Sequence, residues 1–588
     1  MAQTIKVMAG APADGAPLDI TRNTRAILAR VAQARAAGAQ VLLLPPLCLC
    51  GHAGDLLTHA RVLRACREAA GAITKESQGM LVVFGLPLAK DGQVYNALAI
   101  ALNGRIARFV YKRTLNRADL PHFQAGVEPG ALVDLSPIGL DHQALICFVE
   151  DMKDAEFSGA SLVLAAAARP ARAGELAGLP DALSRAFSDM PAVVYANAGA
   201  NESTTDAVYP GDAVIVQKGQ ALSYAPAFER QMASAVVALE KPGKMNGKPL
   251  IAPSFKPHPQ MPYAPKDAAA RAVWCDEALE IAARALATRM QRIGIKAVTL
   301  GISGGLDSTM ALLICLRAFE ILGIDKAGIY GISLPALGTS NRTKDNAWRL
   351  MEAAGLTPRE IPLHEALVQH FKDIEQPADR FDAAFENAQA RERTQVLMDK
   401  ANQVGGMMVG SGDLSELALG FTTFGGDHMS MYGVNGGLYK TAIRLIIRQY
   451  AQATENPALR QVLLDILDTP ISPELLSGTS GQITQKTEDI LGPYLLTDFF
   501  LHHFLAQRLS PADIYARAVT AFDGQFAPAD IKTRLRDFFR RFFANQFKRN
   551  CLPDGPAPLG VSLSPRDGFN MPSDAAAALY LDDIDHLE

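Results

Sequence analysis

Cysteine is scarce in this chain and patternless where it occurs. Seven thiols are spread over 588 residues, at Cys48, Cys50, Cys66, Cys147, Cys275, Cys315 and Cys551, too few and too scattered for a disulfide framework. They fit a reducing compartment. The Cys48-x-Cys50 pair has no second Cys or His pair at zinc-ligand spacing, which points to buried thiols and not to a metal knot. An excess of one charge sign is also missing. Lys and Arg number 57 against 61 Asp and Glu, a formal net charge of -4, so nothing in the bulk electrostatics supports a nucleic-acid or anionic-membrane partner. No uninterrupted apolar run reaches the length of a membrane span, and the opening MAQTIKVMAG has no apolar h-region. These absences predict a cytoplasmic protein that engages neither membrane nor nucleic acid.

What the chain has is size and apolar content. A length of 588 residues exceeds what one hydrophobic core supports, and 49% apolar against 20% charged residues is ordinary globular composition, so two or three domains are expected. From residue 1 to about 239, short apolar runs alternate with Ala-rich stretches. AQVLLLPPL, GMLVVFGLPL, YNALAIAL, HQALICFV, ASLVLAAA and PAVVYANAG read as strands, and NTRAILARVAQARAAG as an amphipathic helix ended by glycine. That alternation predicts a layered α/β domain. Residues 240–267 are proline-rich with few periodic apolar positions and read as a linker. A helix over 268–293 follows. A strand over 297–302 then runs through a Gly-rich loop into a long helix, and AGIYGISLP, REIPLHE and GGMMVGSGD continue the βαβ rhythm of a doubly wound parallel sheet. Beyond about residue 455 the chain reads as helical, so 268–588 is taken as one domain.

The loop between that strand and helix, SGGLDS (Ser303 to Ser308), puts backbone N–H groups and a helix N-terminus where an anion can be held. Gly304 and Gly305 permit close approach, Ser303 and Ser308 add hydroxyls, and Asp307 can hold Mg²⁺. It is not the Walker pattern, because the G-x-x-x-x-G-K-[ST] lysine is absent.

SGGLDS resembles the pyrophosphate-binding loop of N-type ATP pyrophosphatases, the adenine nucleotide alpha hydrolase-like enzymes that adenylate a substrate. FENAQARERTQVLMDKAN, GSGDLSELALGFTTFGGDHMSMYGVNGGLYKT, LDTPISPEL, FKRNCLPDGP and LSPRDGFNMPSD resemble, in order, motifs of the long, glutamine-dependent NAD synthetases. The resemblance implies an N-terminal nitrilase-like α-β-β-α sandwich joined to a doubly wound synthetase domain, a homo-oligomer, and ATP-dependent amidation of deamido-NAD to NAD with release of AMP and pyrophosphate. It also implies the roles. Asp307 and Glu416 would hold Mg²⁺, with Lys440 as the third catalytic group. Gly301, Ile302, Ser303, Gly304, Gly305, Leu306, Asp307, Ser308, Ser411 and Lys440 would bind ATP. Asn387, Arg391, Arg393, Glu416, Phe421, Thr422, Thr423, Phe424 and Lys548 would line the deamido-NAD site.

Residues 1–239 resemble the family's glutaminase domain, whose chemistry needs a thiolate, an oxyanion-stabilising lysine and a glutamate base. Lys112 matches the lysine. The glutamate position reads Pro46, and proline cannot move a proton. Anchored on Glu150 and Asp151, the cysteine position reads Val149, with Cys147 two residues early. On a strand that offset keeps the same face but displaces the thiol by roughly 6–7 Å. The family's N-x-S-x-S-P segment reads AAAARP, with Arg169 in place of a serine. The expectation is a degenerate glutaminase on a synthetase that takes free ammonia, or ammonia from a supplying partner. The alternatives are a bifunctional glutamine-dependent enzyme in which a bulge brings Cys147 into register, a non-catalytic nucleotide-binding regulatory paralogue, and an adenylating enzyme acting on another carboxylate or carbonyl.

Overall fold

The computed structural model describes the chain apart from residues 1–2, 156–158, 205, 241–253, 338–340, 378, 470–491, 567 and 588, and describes only the backbone of 201 and 341–343. Two compact units emerge. One comprises Met1–Ala171 with Glu175–Ser254, the other Arg172–Gly174 with Phe255–Glu588.

The first unit holds twelve strands in two six-stranded sheets. One sheet contains β1 (Gln3–Ala9), β2 (Val41–Leu43), β3 (Leu81–Lys90), β4 (Gln93–Leu102), β5 (Arg105–Tyr111) and β12 (Ala233–Leu239), in the order β12-β1-β2-β3-β4-β5. The other contains β6 (Ala131–Asp134), β7 (Gln143–Phe148), β8 (Leu162–Ala167), β9 (Ala192–Asn197), β10 (Ala213–Gln217) and β11 (Gln220–Ala225), in the order β11-β10-β9-β8-β7-β6. Each sheet has three parallel strands, β1-β2-β3 and β7-β8-β9, flanked by antiparallel ones.

Strand alternation divides the apolar side chains between layers. Val7, Leu43, Val83 and Ile100 meet Ile146, Phe148, Leu164 and Val194 in a core between the sheets. Their neighbours face outward. Leu42, Val82 and Phe84 pack with residues of helices α1 (Ile20–Ala36) and α2 (Ala60–Lys75), while Cys147, Val163 and Val193 pack with Leu179 and Leu183 of α3 (Leu179–Ala186). The result is the α-β-β-α sandwich of the nitrilase-like kind. Helix α1 starts three residues before the amphipathic stretch read from sequence, because the Asp19 carboxylate accepts from Arg22 N and caps it.

The second unit is built on a five-stranded parallel sheet, order β15-β14-β13-β16-β17, from β13 (Val298–Gly301), β14 (Ile329–Ser333), β15 (Arg359–Glu360), β16 (Met407–Gly410) and β17 (Tyr432–Gly433). Helix α4 (Ala268–Ile293) opens it, capped by Asp267 and ended by Gly294 in the left-handed region. Then follow α5 (Leu306–Leu322), α6 (Asn341–Ala353), α7 (His364–Asp373), α8 (Ala383–Gln403), α9 (Leu414–Leu419) and α10 (Lys440–Ala453). From β13 the chain passes first to β14 on one side and later to β16 on the other, so a crevice opens at the carboxyl ends of β13 and β16. Helices Pro457–Leu467, Tyr494–Leu505, Pro511–Ala521, Pro528–Ala544, Gln546–Arg549 and Ala578–Asp585 complete the unit.

Two boundaries differ from the sequence reading. The segment REIPLHE forms a strand of only two residues, and the stretch read as a linker over 240–267 is not all linker. Phe255–Asp267 belongs to the second unit, where Tyr263 is buried and stacks on Tyr439 at 4.2 Å, and Gln260 Nε2 donates to Ala521 O at 3.1 Å. Proline removes backbone donors without preventing an aromatic anchor from packing. Residues 241–253 of that stretch, and most of LDTPISPEL, lie outside the described residues. Among those described, no helix is long and apolar enough to cross a membrane.

Candidate active site

The SGGLDS turn sits at the carboxyl end of β13 and opens α5. Gly304 takes φ +84°, a left-handed conformation costly for any side chain, and Gly305 is the N-cap residue. The hydroxyls lock the turn from within. Gly305 N donates to Ser303 Oγ at 3.2 Å, Ser303 N donates to Ser308 Oγ at 3.3 Å, and Thr309 Oγ1 donates to Gly305 O at 2.7 Å. Asn435, which the sequence reading did not single out, ties this turn to the end of β16: its Nδ2 donates to Asp307 O and to Ser411 O, each at 2.9 Å. Gly301, Ile302, Leu306 and Ser411 therefore lie on the two adjoining strand ends and the helix start.

Next to the turn, α9 and α10 bring their first residues together. Lys440 Nζ lies 2.6 Å from Asp307 Oδ2, 2.7 Å from Asp413 Oδ2 and 2.7 Å from Glu416 Oε1. One ammonium thus faces three carboxylates, a formal charge of -2 in a buried place. Burial raises Asp307 to about 7 although Lys440 pulls it down, and burial likewise pushes Glu416 well above the usual range. Burial opposes the charge on Lys440, but Asp307, Asp413 and Glu416 outweigh it and hold the lysine protonated.

One carboxylate oxygen from each of Asp307, Asp413 and Glu416 lies within 4.8 Å of the others, and Asp307 Oδ1 is buried without a hydrogen-bond donor among the described residues. All-oxygen ligands, excess negative charge and an orphaned oxygen fit a hard divalent cation such as Mg²⁺. Asp413 is a further residue absent from the sequence reading. It caps α9 by accepting from Ser415 N and Glu416 N, and the Asp-x-x-Glu spacing of a helix start was its available signal. The far end of α9 is held by Arg549, whose guanidinium donates to Leu417 O and Ala418 O.

A second group gathers around α8. Asn387 and Arg391 lie one turn apart on it. Thr423 Oγ1 donates to Asn387 Oδ1 at 2.8 Å, Arg391 Nε donates to Phe424 O at 3.2 Å, and Lys548 Nζ donates to Gly420 O at 2.6 Å and Thr422 O at 2.7 Å. Arg393 Nε reaches Leu334 O at 3.2 Å, beyond β14. Phe424 is 45% exposed, stacks on His428 and leans against Phe547, whereas Thr422 and Thr423 are buried. The turn 421–424, Lys548, Asn387 and Arg391 therefore form one patch, and Phe421 follows Gly420 directly at the end of α9.

In the first unit Cys147 is the fifth residue of β7 and Val149 begins the turn after it. The one-to-one ladder from Ala144 to Phe148 against Leu162 to Ala166 is unbroken. Cys147 and Val149 share the outer core under α3, so the offset of two keeps one face, and the thiol is fully buried with Sγ 3.9 Å from Leu164 O. Burial pushes that thiol far up, with Asp151 and Glu150 adding to it. Lys112 is engaged by two carboxylates, one of them on the residue that follows Val149: its Nζ is 2.9 Å from both Asp119 Oδ2 and Glu150 Oε1 and 6.0 Å from the Phe148 ring centroid. Pro46 packs where Gly85 leaves room, since a Cβ there would meet Pro46 Cα at 2.4 Å. Arg169 pairs with Glu175 at 3.0 Å.

A family model described as NAD synthase matches residues 279–526. A Mycobacterium leprae protein named glutamine-dependent NAD(+) synthetase is 30% identical, the match covering 96% of each chain. The crystal structure of a glutamine-dependent NAD(+) synthetase from Cytophaga hutchinsonii aligns with a TM-score of 0.78 at 20% identity, covering 99% of this chain and 100% of that one. The structure of glutamine-dependent NAD+ synthetase from Acinetobacter baumannii in complex with ADP aligns at 0.66 and 21% identity, covering 93% and 94%.

Proposed function

The chain belongs to the family of glutamine-dependent NAD(+) synthetases, and we propose that it amidates deamido-NAD with free ammonia, its N-terminal unit no longer hydrolysing glutamine. The nicotinate carboxylate attacks the α-phosphorus of ATP, and the Pα–O–Pβ bond breaks to release pyrophosphate. Ammonia then attacks the acyl carbon of the mixed anhydride, loses a proton and expels AMP. Two anions must meet in this scheme, so cationic and N–H groups decide the rate. The N-terminus of α5 and the SGGLDS amides receive the leaving pyrophosphate. Lys440, held protonated among its carboxylates, balances charge as it develops. Asp307 and Glu416, with Asp413, would hold Mg²⁺, which supplies Lewis-acid charge on the phosphate oxygens when bound. Asn387, Arg391, Phe424 and Lys548 would orient the dinucleotide, with the part-exposed Phe424 ring as an aromatic contact.

The observation that carries the ammonia reading is that Val149 and Pro46 both stand where the resemblance would put a thiol and a carboxylate. No thiol stands before Glu150, no carboxylate stands at residue 46, and Cys147 sits in apolar core beneath α3. A nucleophile needs reacting atoms about 3–3.5 Å apart and an activating base. The names of the relatives favour a second reading, in which glutamine still serves as nitrogen donor and Cys147 as nucleophile. The N-terminal unit would then be a working glutaminase instead of an architectural or oligomer-forming module. A nucleotide-binding paralogue without chemistry loses support from the retention of Asp307, Glu416 and Lys440 within contact distance. Purified protein given ATP, Mg²⁺ and deamido-NAD should release pyrophosphate and form NAD with ammonium chloride. With glutamine in its place it should release no glutamate above background.

A further inference from the structure

Asp498 lies in the helix Tyr494–Leu505, whose sequence YLLTDFFLHHFL is mostly apolar, and its side chain is fully buried. An unpaired carboxylate there would be strongly disfavoured, so its partners define its purpose. Oδ1 accepts from Ser415 Oγ at 2.5 Å. Oδ2 accepts from Thr441 N at 2.9 Å and from Thr441 Oγ1 at 2.5 Å. Ser415 Oγ in turn accepts from Lys440 N at 2.9 Å, and the Tyr263 hydroxyl contacts Thr441 Oγ1. Because Thr441 spends its proton on Asp498, Tyr263 is the donor in that last contact.

These partners are the immediate neighbours of the residues that matter. Ser415 precedes Glu416 on α9, and Thr441 follows Lys440 on α10. Helix α10 has no side-chain cap of its own. Asp498 supplies one from another element by accepting Thr441 N, and it places negative charge at that helix N-terminus. One carboxylate thus holds the starts of both helices, and Lys440 N and Ser415 Oγ close the gap between them.

We propose that Asp498 is a positioning residue for the synthetase reaction, fixing the separation of Glu416 and Lys440 through Ser415 and Thr441. This rests on the functional reading given above. An outer partner that orients the groups around a metal site is typically worth roughly 10- to 100-fold in metal affinity or activity when removed.

The test uses the full chain with Asp498→Asn, Thr441→Val and Thr441→Ser. Ammonium-supported pyrophosphate release is measured against Mg²⁺, ATP and deamido-NAD, together with calorimetric ADP binding at varied Mg²⁺. Asp498→Asn and Thr441→Val are expected to lower kcat and to weaken the apparent Mg²⁺ constant by roughly 10-fold or more. The KM for deamido-NAD, bound through α8 and the 421–424 turn, should stay near that of the unsubstituted protein, and Thr441→Ser should restore most of the loss. If Asp498→Asn does not fold, the Thr441 pair decides. The proposal is overturned if all constants fall together with the folded fraction, if Thr441→Ser is no better than Thr441→Val, or if Mg²⁺-dependent ADP binding is unchanged. Should the unsubstituted protein release no pyrophosphate, the functional reading fails instead, and the Mg²⁺ dependence of ADP binding still reports on Asp498.

Discussion

Lys440 Nζ stands 2.6 Å from Asp307 Oδ2, with Asp413 and Glu416 closing around the same ammonium. Removing that cation leaves three carboxylates facing one another, Asp413 fully buried and Asp307 and Glu416 partly so. Lys440→Met should destabilise the protein by about 3–5 kcal/mol, the cost of breaking a buried ion pair from one side. It should also abolish pyrophosphate release. Because a divalent cation can take over the neutralisation, Mg²⁺ should raise the melting temperature of the variant more than that of the unsubstituted protein. Equal Mg²⁺ effects on the two would argue against a shared cation site.

Stability without metal should fall as pH rises from about 6.5 to 8. Burial raises Asp307 and Asp498 to about 7 and Glu202 to about 8. Each folded value lies above the unfolded one, so through this window the native state binds more protons than the unfolded chain and loses stability as they leave. His52 and His502, both lowered to about 4 by burial, act in the opposite direction but only below about pH 6.5. Lys440, raised by its carboxylates, stays charged throughout. Melting temperatures that climb across this window in chelator would contradict the burial of these carboxyls.

Asn435 joins the phosphate turn to the β16 loop through two donated hydrogen bonds. Asn435→Ala removes both bonds and takes from Ser411 O its donor, while Asp307 O keeps its place in the α5 ladder, and should cost about 1–3 kcal/mol. The KM for ATP should rise more than the KM for deamido-NAD. A variant with both constants unchanged would mean that the turn is held without this link.

Six of the seven cysteines are buried, and Cys551 alone is exposed. Brief iodoacetamide treatment of native protein should therefore label Cys551 first and leave Cys147 untouched. Cys147→Ala should cost about 1 kcal/mol as a small core deletion and leave ammonium-supported NAD formation intact. Rapid labelling of Cys147 would show that its thiol is reachable after all, which is read by peptide mass mapping.

The strand-loop-helix of SGGLDS and the helix Ala268–Ile293 were legible because their signals are local: an apolar run, a glycine turn, a capping Asp267 and a terminating Gly294. Strand β12 was not, since it pairs with β1 at a distance of more than two hundred residues and alternates too weakly to announce itself. Among the site residues, Asp307, Glu416 and Lys440 could be read from motifs, and the structure brings them into contact. Asp413, Asn435 and Asp498 escaped because their importance lies in what they reach across the fold. Asp498 in particular sits in an apolar helix where sequence gives no hint of Ser415 or Thr441. The 240–267 stretch misled in the other direction, since proline content hid the packing of Tyr263.

The nitrogen source is the claim that one isotope experiment decides. Enzyme supplied with ATP, Mg²⁺, deamido-NAD, ¹⁵N-ammonium and unlabelled glutamine in equal amounts should yield NAD whose amide carries ¹⁵N. NAD with an unlabelled amide, accompanied by glutamate, would mean that the N-terminal unit still hydrolyses glutamine and would contradict the account.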